Sequence, residues 1–452
     1  MKVKLNSIRR FIKIKSLSSI VMFVTSMAAL ILANSCLAPV YEKFLELKFT
    51  IGVGNFHLTK SVLHWINDGL MTIFFFLIGL EIKSEFLTGS LNSMRRAVLP
   101  VFAAIGGMIV PIVIFLTLHH GQAGIEGWGI PMATDIAFSL GVLGIFGSRV
   151  PLGLKVFLTT YAIIDDLGAV IIITFFYSSS IHWNFIIIAL ALLLLLFILT
   201  AFTIYWKYLF LLLGIIIWIL FLKSGIHPTI AGVLVAFTIP MHREKKFSDV
   251  IKKGKKALNE LSKINGKNEA ELKAHKEAIQ VLDTFTSKIQ SPLHFLQHRL
   301  QGIVSFIIIP LFGFANAGIT FTTQGGAISP LTLNIAMALL FGKVLGISLF
   351  TYLPLKLKIG ILPLHTNFKQ IIGLGFLGGL GFTMSIFIAN LAFDSADMIN
   401  SAKIGILLGS VVASVLGFII LKYSIKGNRT SNQSPYINPE RDRILLGTQD
   451  IK

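Results

Sequence analysis

Residues 162–168 read Ala-Ile-Ile-Asp-Asp-Leu-Gly and place two adjacent carboxylates inside a long apolar run. The run covers residues 152–178, and Lys155 is its only other charged residue. About 20 mostly apolar residues are enough to cross a hydrocarbon core of about 30 Å. Ionisable side chains within such a span are costly and usually serve a function. The stretch therefore predicts a membrane helix that carries a functional site.

The composition indicates that this run is one of many. The chain has 452 residues, of which 54% are hydrophobic and 13% charged, whereas soluble domains carry about 25% charged residues. The apolar runs are continuous rather than alternating, which disfavours a transmembrane β-barrel. We expect an all-α polytopic membrane protein with twelve transmembrane helices. The candidate spans are 17–39, 64–82, 97–118, 128–147, 152–178, 184–205, 207–223, 225–241, 296–320, 330–353, 367–392 and 401–422.

The basic residues predict the orientation of these spans. There are 40 Lys and Arg against 21 Asp and Glu, a net charge of +19. The first fifteen residues hold six basic and no acidic side chains, so the positive-inside rule puts the N-terminus in the cytoplasm. An even number of spans puts the C-terminus there too. The main exception is the first outer loop, with Lys43, Lys48 and Lys60. The positive charge is thus interpreted as a topology signal, and no nucleic-acid partner is expected.

The same pattern divides the chain into five regions. The first apolar run is longer than a signal-peptide core, so an uncleaved helix is favoured over a signal peptide. A polar insertion contains twelve Lys or Arg and a capping-box pattern at Asn268 and Glu271. A solvated loop helix and contact with anionic lipid headgroups both remain open for it. The expected regions are a basic cytoplasmic N-terminus (1–16), helices 1–8 (17–241), a basic cytoplasmic loop (242–290), helices 9–12 (291–424) and a cytoplasmic tail (425–452).

Asp165 and Asp166 belong to a small set of charges inside predicted spans, together with Asp135 and Lys343. Neighbours on a helix point about 100° apart. One aspartate can therefore face an aqueous funnel while the other faces a neighbouring helix, where Lys343 would be a suitable partner. A purely structural ion pair would explain the lysine and one aspartate, but it leaves two carboxylates unexplained. Hard cations such as Na⁺ prefer oxygen ligands, so competition of cation and proton for the same carboxylates would couple two fluxes.

Two spans contain helix breakers at matching positions of the two halves. In the fourth span Asp135 follows Pro131, and three glycines come after it. In the eleventh span five glycines lie between residues 373 and 381. Such spans mark discontinuous helices in transporters, and their free ends carry partial charges. We expect Asp135 to balance the positive ends and Lys343 the negative ends.

The chain resembles the NhaA-type bacterial sodium/proton antiporters over roughly residues 15–425. The resemblance is carried by eight motifs that occur in the same order as in that family. The motifs are His-Trp-Ile-Asn-Asp-Gly-Leu (64–70), Thr-Asp-Ile-Ala-Phe (134–138), Gly-Ser-Arg-Val-Pro (147–151), Ile-Ile-Asp-Asp-Leu-Gly-Ala (163–169), Lys-Ser-Gly-Ile-His (223–227), Phe-Ala-Asn-Ala-Gly (314–318), Gly-Lys-Val-Leu-Gly-Ile (342–347) and Gly-Phe-Thr-Met-Ser-Ile-Phe (381–387).

The resemblance implies both a fold and an activity. The fold is that of twelve helices in inverted repeats, with broken helices four and eleven crossing. The activity is electrogenic, pH-regulated exchange of Na⁺ or Li⁺ for protons across the bacterial inner membrane, serving sodium and pH homeostasis. It implies a secondary transporter rather than an enzyme, with no cofactor beyond the transported ions. The expected partners are the lipid bilayer and a second copy of the chain in a homodimer.

The resemblance also implies residue roles. Asp165 and Asp166 correspond to the pair that binds Na⁺ or Li⁺ and carries protons, and Lys343 to the partner of Asp165. Gln297 stands where that family carries a sensor glutamate, so we expect the pH response to differ. Thr134, Asp135 and Gly381 correspond to positions at the broken-helix crossing. Glu81, Glu85 and His227 correspond to positions linked to the pH response. For Glu81 and Glu85 a wetted helix end remains an alternative, and for His227 a structural histidine beside Pro228.

Other classes fit the residues less well. An intramembrane aspartyl protease needs two facing aspartates on separate helices, whereas Asp165 and Asp166 are adjacent. The chain has no His-Glu-x-x-His signature of a metalloprotease, and no ATP-binding loop of a primary pump. A cation channel or another proton-coupled transporter is the nearest alternative.

Overall fold

The computed structural model describes residues 2–53, 56–178, 181–241, 291–320, 329–363 and 365–425. The predictions for the 242–290 loop and for the tail beyond residue 425 lie outside these ranges. The helices are α1 (Lys2–Ala33), α2 (Ala38–Glu46), α3 (Val62–His64), α4 (Met71–Thr88), α5 (Met94–Leu118), α6 (Ile136–Ile145), α7 (Leu152–Phe176), α8 (Trp183–Ala201), α9 (Lys207–Ser224), α10 (Thr229–Thr238), α11 (Pro292–Ile303), α12 (Ile309–Asn316), α13 (Pro330–Met337), α14 (Lys343–Lys356), α15 (Phe368–Gly378), α16 (Phe382–Ala392) and α17 (Ala396–Ile425).

Shorter irregular turns join or extend several of these helices. Single turns of π-helix make α3 continuous with α4, α11 with α12 and α13 with α14. The π-helical segments are Trp65–Leu70, Val304–Ile308 and Ala338–Gly342, and the 3₁₀ segments are Ser90–Asn92, Ile125–Met132 and Gly147–Arg149.

Eight helical stretches among the described residues are long and apolar enough to cross a membrane, or up to ten if each of two bent pairs is one span. The chain is therefore an all-helical membrane protein in its main architecture. Two of the twelve predicted spans, 64–82 and 225–241, are not among these ten. The first lies in a continuous helix that carries several charged side chains. The second yields only the ten-residue α10, because His227-Pro228 delays its start and the residue before Pro240 is extended.

The connection after α2 forms a short β-hairpin within this mainly helical chain. Strands β1 (Lys48–Val53) and β2 (Phe56–Ser61) pair antiparallel, with Lys48 opposite Ser61. Polar and apolar residues alternate along β1, which is the pattern of a half-buried strand. Six residues of alternating pattern are too short to stand out beside the long apolar runs of the spans.

Capping residues explain where several helices start. Ser291 caps α11 by accepting from the backbone N–H of His294 at 3.2 Å. Asn367 and Gln370 form a reciprocal capping box at the start of α15. A lysine caps the C-terminal end of α10, where Lys83 Nζ donates to the carbonyls of residues 237 and 239 at 2.6 and 2.7 Å. These contacts satisfy backbone groups that no lipid could satisfy.

Two spans are interrupted, and their interruptions meet. In the first, the 3₁₀ segment Ile125–Met132 is followed by three extended residues and then by α6. In the second, α15 and α16 are bent by 42° relative to each other. The backbone N–H of Asp135 in the first break donates to the Leu380 carbonyl in the second at 2.6 Å. The two breaks therefore lie against each other inside the protein.

Candidate functional site

Lys343 lies at the start of α14 with its side chain fully buried. Its ammonium donates to both carboxylate oxygens of Asp165, at 3.1 and 3.0 Å. It also donates to the Thr134 hydroxyl at 2.8 Å, to the Tyr161 hydroxyl at 3.3 Å and to the Met132 carbonyl. A buried charge is tolerated only when it is paired and hydrogen-bonded. Lys343 meets both conditions.

The Thr134 hydroxyl determines which groups donate and which accept in this network. Its hydroxyl donates to the Gly378 carbonyl, the last of α15, at 2.9 Å. A hydroxyl has one proton, so Thr134 must accept from its other two neighbours. These are Lys343 and the Tyr161 hydroxyl, which lies 3.0 Å away. The ammonium is thus surrounded by oxygen acceptors from α7 and from the interrupted span before α6.

Asp135 occupies the complementary position at the helix starts. One carboxylate oxygen accepts from the backbone N–H of Phe138 at 3.1 Å and caps α6. The other accepts from the backbone N–H of Thr383 at 3.1 Å and from the Thr383 hydroxyl, which caps α16. One carboxylate thus faces the positive ends of two half-helices, where a negative charge is stabilised.

The crossing therefore pairs each kind of helix end with an opposite charge. The carbonyls at the ends of the two first halves, Met132 and Gly378, face Lys343 directly or through Thr134. The amides at the starts of the two second halves face Asp135. This is the arrangement that the sequence analysis expected for Lys343 and Asp135.

Asp165 and Asp166 are both buried but point to different surroundings. Asp165 lies in the ion pair with Lys343, at 3.0 Å. Asp166 lines a cavity of about 40 Å³ that Asp165 does not line. The same cavity is lined by Asp135 and Glu81. The helix thus turns one carboxylate to a lysine and its neighbour to a small cavity.

The cavity combines apolar walls with oxygen atoms. Phe74 and Phe312 contribute to the walls, while hydroxyl groups come from four other helices or breaks. Its volume exceeds the roughly 10–15 Å³ that one water needs, so a small cation with part of its hydration shell would fit. Among the described residues no group of three or more His, Cys, Asp or Glu could chelate a metal ion. The hydroxyl residues are Ser18, Thr134, Ser305 and Thr383.

The residues predicted to take part in the pH response are not gathered in one place. Glu81 is 3% exposed and lines the cavity, so it does not lie at a wetted helix end, while Glu85, one turn further, is half-buried. His227 Nδ1 is 2.8 Å from the Thr229 hydroxyl, and its Nε2 is 3.8 Å from Asp68.

Gln297 lies on α11 and is half-buried, with its side-chain oxygen 3.4 Å from His294 Nδ1. The third position predicted at the crossing, Gly381, precedes α16 in an ordinary helical conformation. A side chain there would collide with Ser385 and Leu339. Glycine is therefore required for close packing at the break.

Two side chains of the network were not predicted from the sequence. Tyr161 is four residues before Asp165 and so lies on the same helical face, which is a signal that could have found it. Thr383, which binds Asp135, carries no such signal because its partner is 248 residues away.

These observations define a multi-pass membrane protein with ionisable groups buried where two broken spans cross. Comparison with known proteins narrows the class. The chain belongs to the family described as Na⁺/H⁺ antiporter 1, whose model matches residues 9–421.

Similar curated proteins agree with this assignment. The chain is 42% identical over 434 residues to a "Na(+)/H(+) antiporter NhaA" of Bacteroides fragilis, covering 94% of this chain and 99% of the relative. It is 44% identical over 414 residues to the protein of that name in Koribacter versatilis, covering 91% and 90%. It is 41% identical over 418 residues to the one in Bordetella parapertussis, covering 92% and 96%.

Proposed function

We propose that this protein exchanges Na⁺ for protons across the membrane as a secondary antiporter. The observation that carries the proposal is the divergence of Asp165 and Asp166. One carboxylate is held by Lys343, and the other lies on a cavity of cation size. The family membership and the printed name of the relatives support the choice of Na⁺ and H⁺ as the exchanged ions.

In this proposal Asp166 is the main cation ligand. The deprotonated carboxylate binds Na⁺ together with hydroxyl oxygens that line the cavity. Protonation of the same carboxylate displaces the cation. Since one group cannot hold both, loading with one ion requires release of the other. Thr134 and Asp135 keep the cavity wall and the helix ends at the crossing in place, and Gly381 leaves room for Ser385 and Leu339 beside the second break.

The Asp165–Lys343 pair is the second proton-linked element. If this pair also takes up or releases a proton in each cycle, more than one proton moves per cation and the exchange is electrogenic. Asp165 then contributes to cation binding only when its bond to Lys343 opens. Li⁺, which also prefers oxygen ligands, is the proposed alternative substrate.

The proposed transport is alternating access in a twelve-helix, inverted-repeat fold with crossed broken helices four and eleven. Two elements outside the ten recognised spans, the continuous α3–α4 and the short α10, complete the twelve. The location is the bacterial inner membrane with both termini cytoplasmic, and the regions are those of the sequence analysis. Protons enter from the outer side and Na⁺ leaves by it. A homodimer and anionic lipid at 242–290 are further parts of the proposal.

Regulation by pH is proposed to involve four residues. Glu81 borders the ion cavity itself, and Glu85 follows one turn later on α4. His227 lies beside Asp68, so its protonation would change an ion pair. Gln297 cannot titrate, which leaves the pH response to its neighbours.

Na⁺-dependent collapse of a pH gradient in everted membrane vesicles tests the proposal. We expect wild-type protein to collapse the gradient on addition of Na⁺ and Asp166→Asn to lose this activity. Asp394→Asn, a surface carboxylate outside the site, is the matched control and should match the wild type. Full exchange by Asp166→Asn would refute the assigned site, and Na⁺ flux without proton movement would instead indicate a channel.

A further inference from the structure

Tyr177 follows the last residue of α7, and its hydroxyl reaches the 3₁₀ segment Ile125–Met132. The hydroxyl accepts from the backbone N–H of Gly129 at 3.1 Å and donates to the Glu126 carbonyl at 2.8 Å. In a 3₁₀ helix the N–H of one residue pairs with the carbonyl three residues earlier. Glu126 and Gly129 are such a pair, so a single hydroxyl holds both ends of one turn.

Packing fixes the tyrosine against this turn. A side chain at Gly129 would collide with the ring and hydroxyl of Tyr177. The Trp128 ring stacks on Tyr177 with centroids 6.0 Å apart and meets Phe176 edge-on at 5.0 Å. The end of α7, the helix that carries Asp165, is thereby joined rigidly to the broken span.

The other end of the same segment reaches the ion pair. The Ile130 carbonyl accepts from the Ser385 hydroxyl at 2.8 Å, and the Met132 carbonyl accepts from Lys343. Gly129 and Met132 are three residues apart, about 6 Å at the 3₁₀ rise of about 2 Å per residue. A displacement of the turn held by Tyr177 is therefore transmitted to the carbonyl that contacts the ammonium.

We propose that Tyr177 is a positioning residue for the exchange site, whose hydroxyl fixes the 3₁₀ segment so that the Met132 carbonyl meets Lys343. The effect of this role on transport rests on the proposed function. It does not require Tyr177 to contact any transported ion.

Tyr177→Phe removes the hydroxyl and keeps the ring against Trp128. Tyr41→Phe is the matched control, because the Tyr41 hydroxyl donates to the Phe314 carbonyl of α12 at 2.6 Å. Both variants lose one tyrosine hydroxyl bonded to a helix backbone. Only the first loses it in the segment that leads to Lys343.

The first measurement is the rate of Na⁺-dependent proton exchange against pH in everted vesicles. Without a firmly held Met132 carbonyl the Lys343 ammonium loses one of its acceptors, so the pH dependence of exchange changes. We expect the pH of half-maximal exchange to shift by about half a unit in Tyr177→Phe, the size of one net hydrogen bond, and to stay unchanged in Tyr41→Phe. An equal profile in both variants would overturn the proposal.

The second measurement does not depend on transport. Thermal unfolding in detergent is recorded for Tyr177→Phe in the wild type and in Asp165→Asn/Lys343→Met. If Tyr177 acts through Met132 and Lys343, its cost in the second background is at most about half that in the first; Tyr41→Phe is additive. Additive behaviour of Tyr177→Phe would overturn the positioning role. Absence of Na⁺/H⁺ exchange in the wild type would instead refute the proposed function, with the unfolding cycle still deciding the role of Tyr177.

Discussion

Asp165 and Asp166 are neighbours in one helix and are almost equally buried, at 1% and 2% exposure, yet they lie in opposite environments. Asp165 is bonded through both oxygens to Lys343 in a tightly packed network. Asp166 borders a cavity that also touches Asp135 and Glu81. The 100° turn between adjacent helical residues is enough to separate the two roles. The two carboxylates, although adjacent in sequence, thus neither face each other nor share the same surroundings.

Burying the Asp165–Lys343 ion pair costs free energy. Taking two charges out of water costs several kcal/mol per ion, and an apolar pair of similar volume is often as stable. A buried ion pair is therefore weak evidence for a stabilising role. Lys343 also donates to the Met132 carbonyl and, through Thr134, is linked to the Gly378 carbonyl, so it connects the ends of two half-helices. On the other side of the helix, Asp166 borders the cavity, which is where we propose that the ions exchange.

The largest effect is expected from breaking the ion pair on one side only. Asp165→Asn leaves the Lys343 ammonium buried without a counter-charge and should cost about 3–5 kcal/mol of stability. Thermal unfolding in detergent measures the loss. The double variant Asp165→Asn/Lys343→Met should recover most of it, because neither charge is then left alone. A double variant less stable than Asp165→Asn would show that the lysine does not depend on this aspartate.

A smaller loss of stability is expected at the carboxylate that caps two helices. Asp135→Asn keeps the shape, but its amide nitrogen cannot accept, so one of two caps is lost together with the charge. We expect a cost of about 1–2 kcal/mol. Ser329→Ala removes a cap from α13 only, where Ser329 accepts from the Thr332 N–H at 3.2 Å, and should cost less. Equal unfolding temperatures for the two variants would argue against double capping.

Thr134 connects the two sides, since it bonds to Lys343 and also borders the cavity. Thr134→Val removes the hydroxyl at nearly constant volume and should slow Na⁺-dependent exchange by about five- to tenfold, the equivalent of one net hydrogen bond of about 1 kcal/mol. Thr134→Ser keeps the hydroxyl and should retain most of the rate. Equal rates for the valine and serine variants would mean that the hydroxyl is not used.

The smallest effect is expected far from both aspartates, on α11. Gln297→Glu introduces a titratable group 3.4 Å from the His294 ring nitrogen, measured from the present amide oxygen. The pH profile of exchange should move by less than about one unit, with the maximal rate and the Na⁺ affinity unchanged. Profiles of both proteins in the same vesicles measure the shift. Identical profiles would remove Gln297 from the proposed pH response.

The charges of the site could be predicted from the sequence because ionisable residues in apolar runs are conspicuous. Helical geometry alone suggested that Asp165 and Asp166 diverge and that Lys343 meets one of them. The Met132 carbonyl and the Thr383 hydroxyl could not be foreseen, because a broken helix brings together groups that are hundreds of residues apart. The span at 225–241 is not among the recognised ones for a local reason, since hydropathy does not register the prolines that shorten α10 to ten residues.

Sodium binding to purified protein is the most direct test of the division between the two aspartates. Isothermal titration with NaCl in detergent at constant ionic strength gives the heat of binding for each variant. We predict that Asp165→Asn/Lys343→Met still binds Na⁺ saturably, whereas Asp166→Asn shows no saturable heat. Binding by Asp166→Asn with wild-type affinity, together with loss of binding in the double variant, would contradict the assignment of the cation to Asp166.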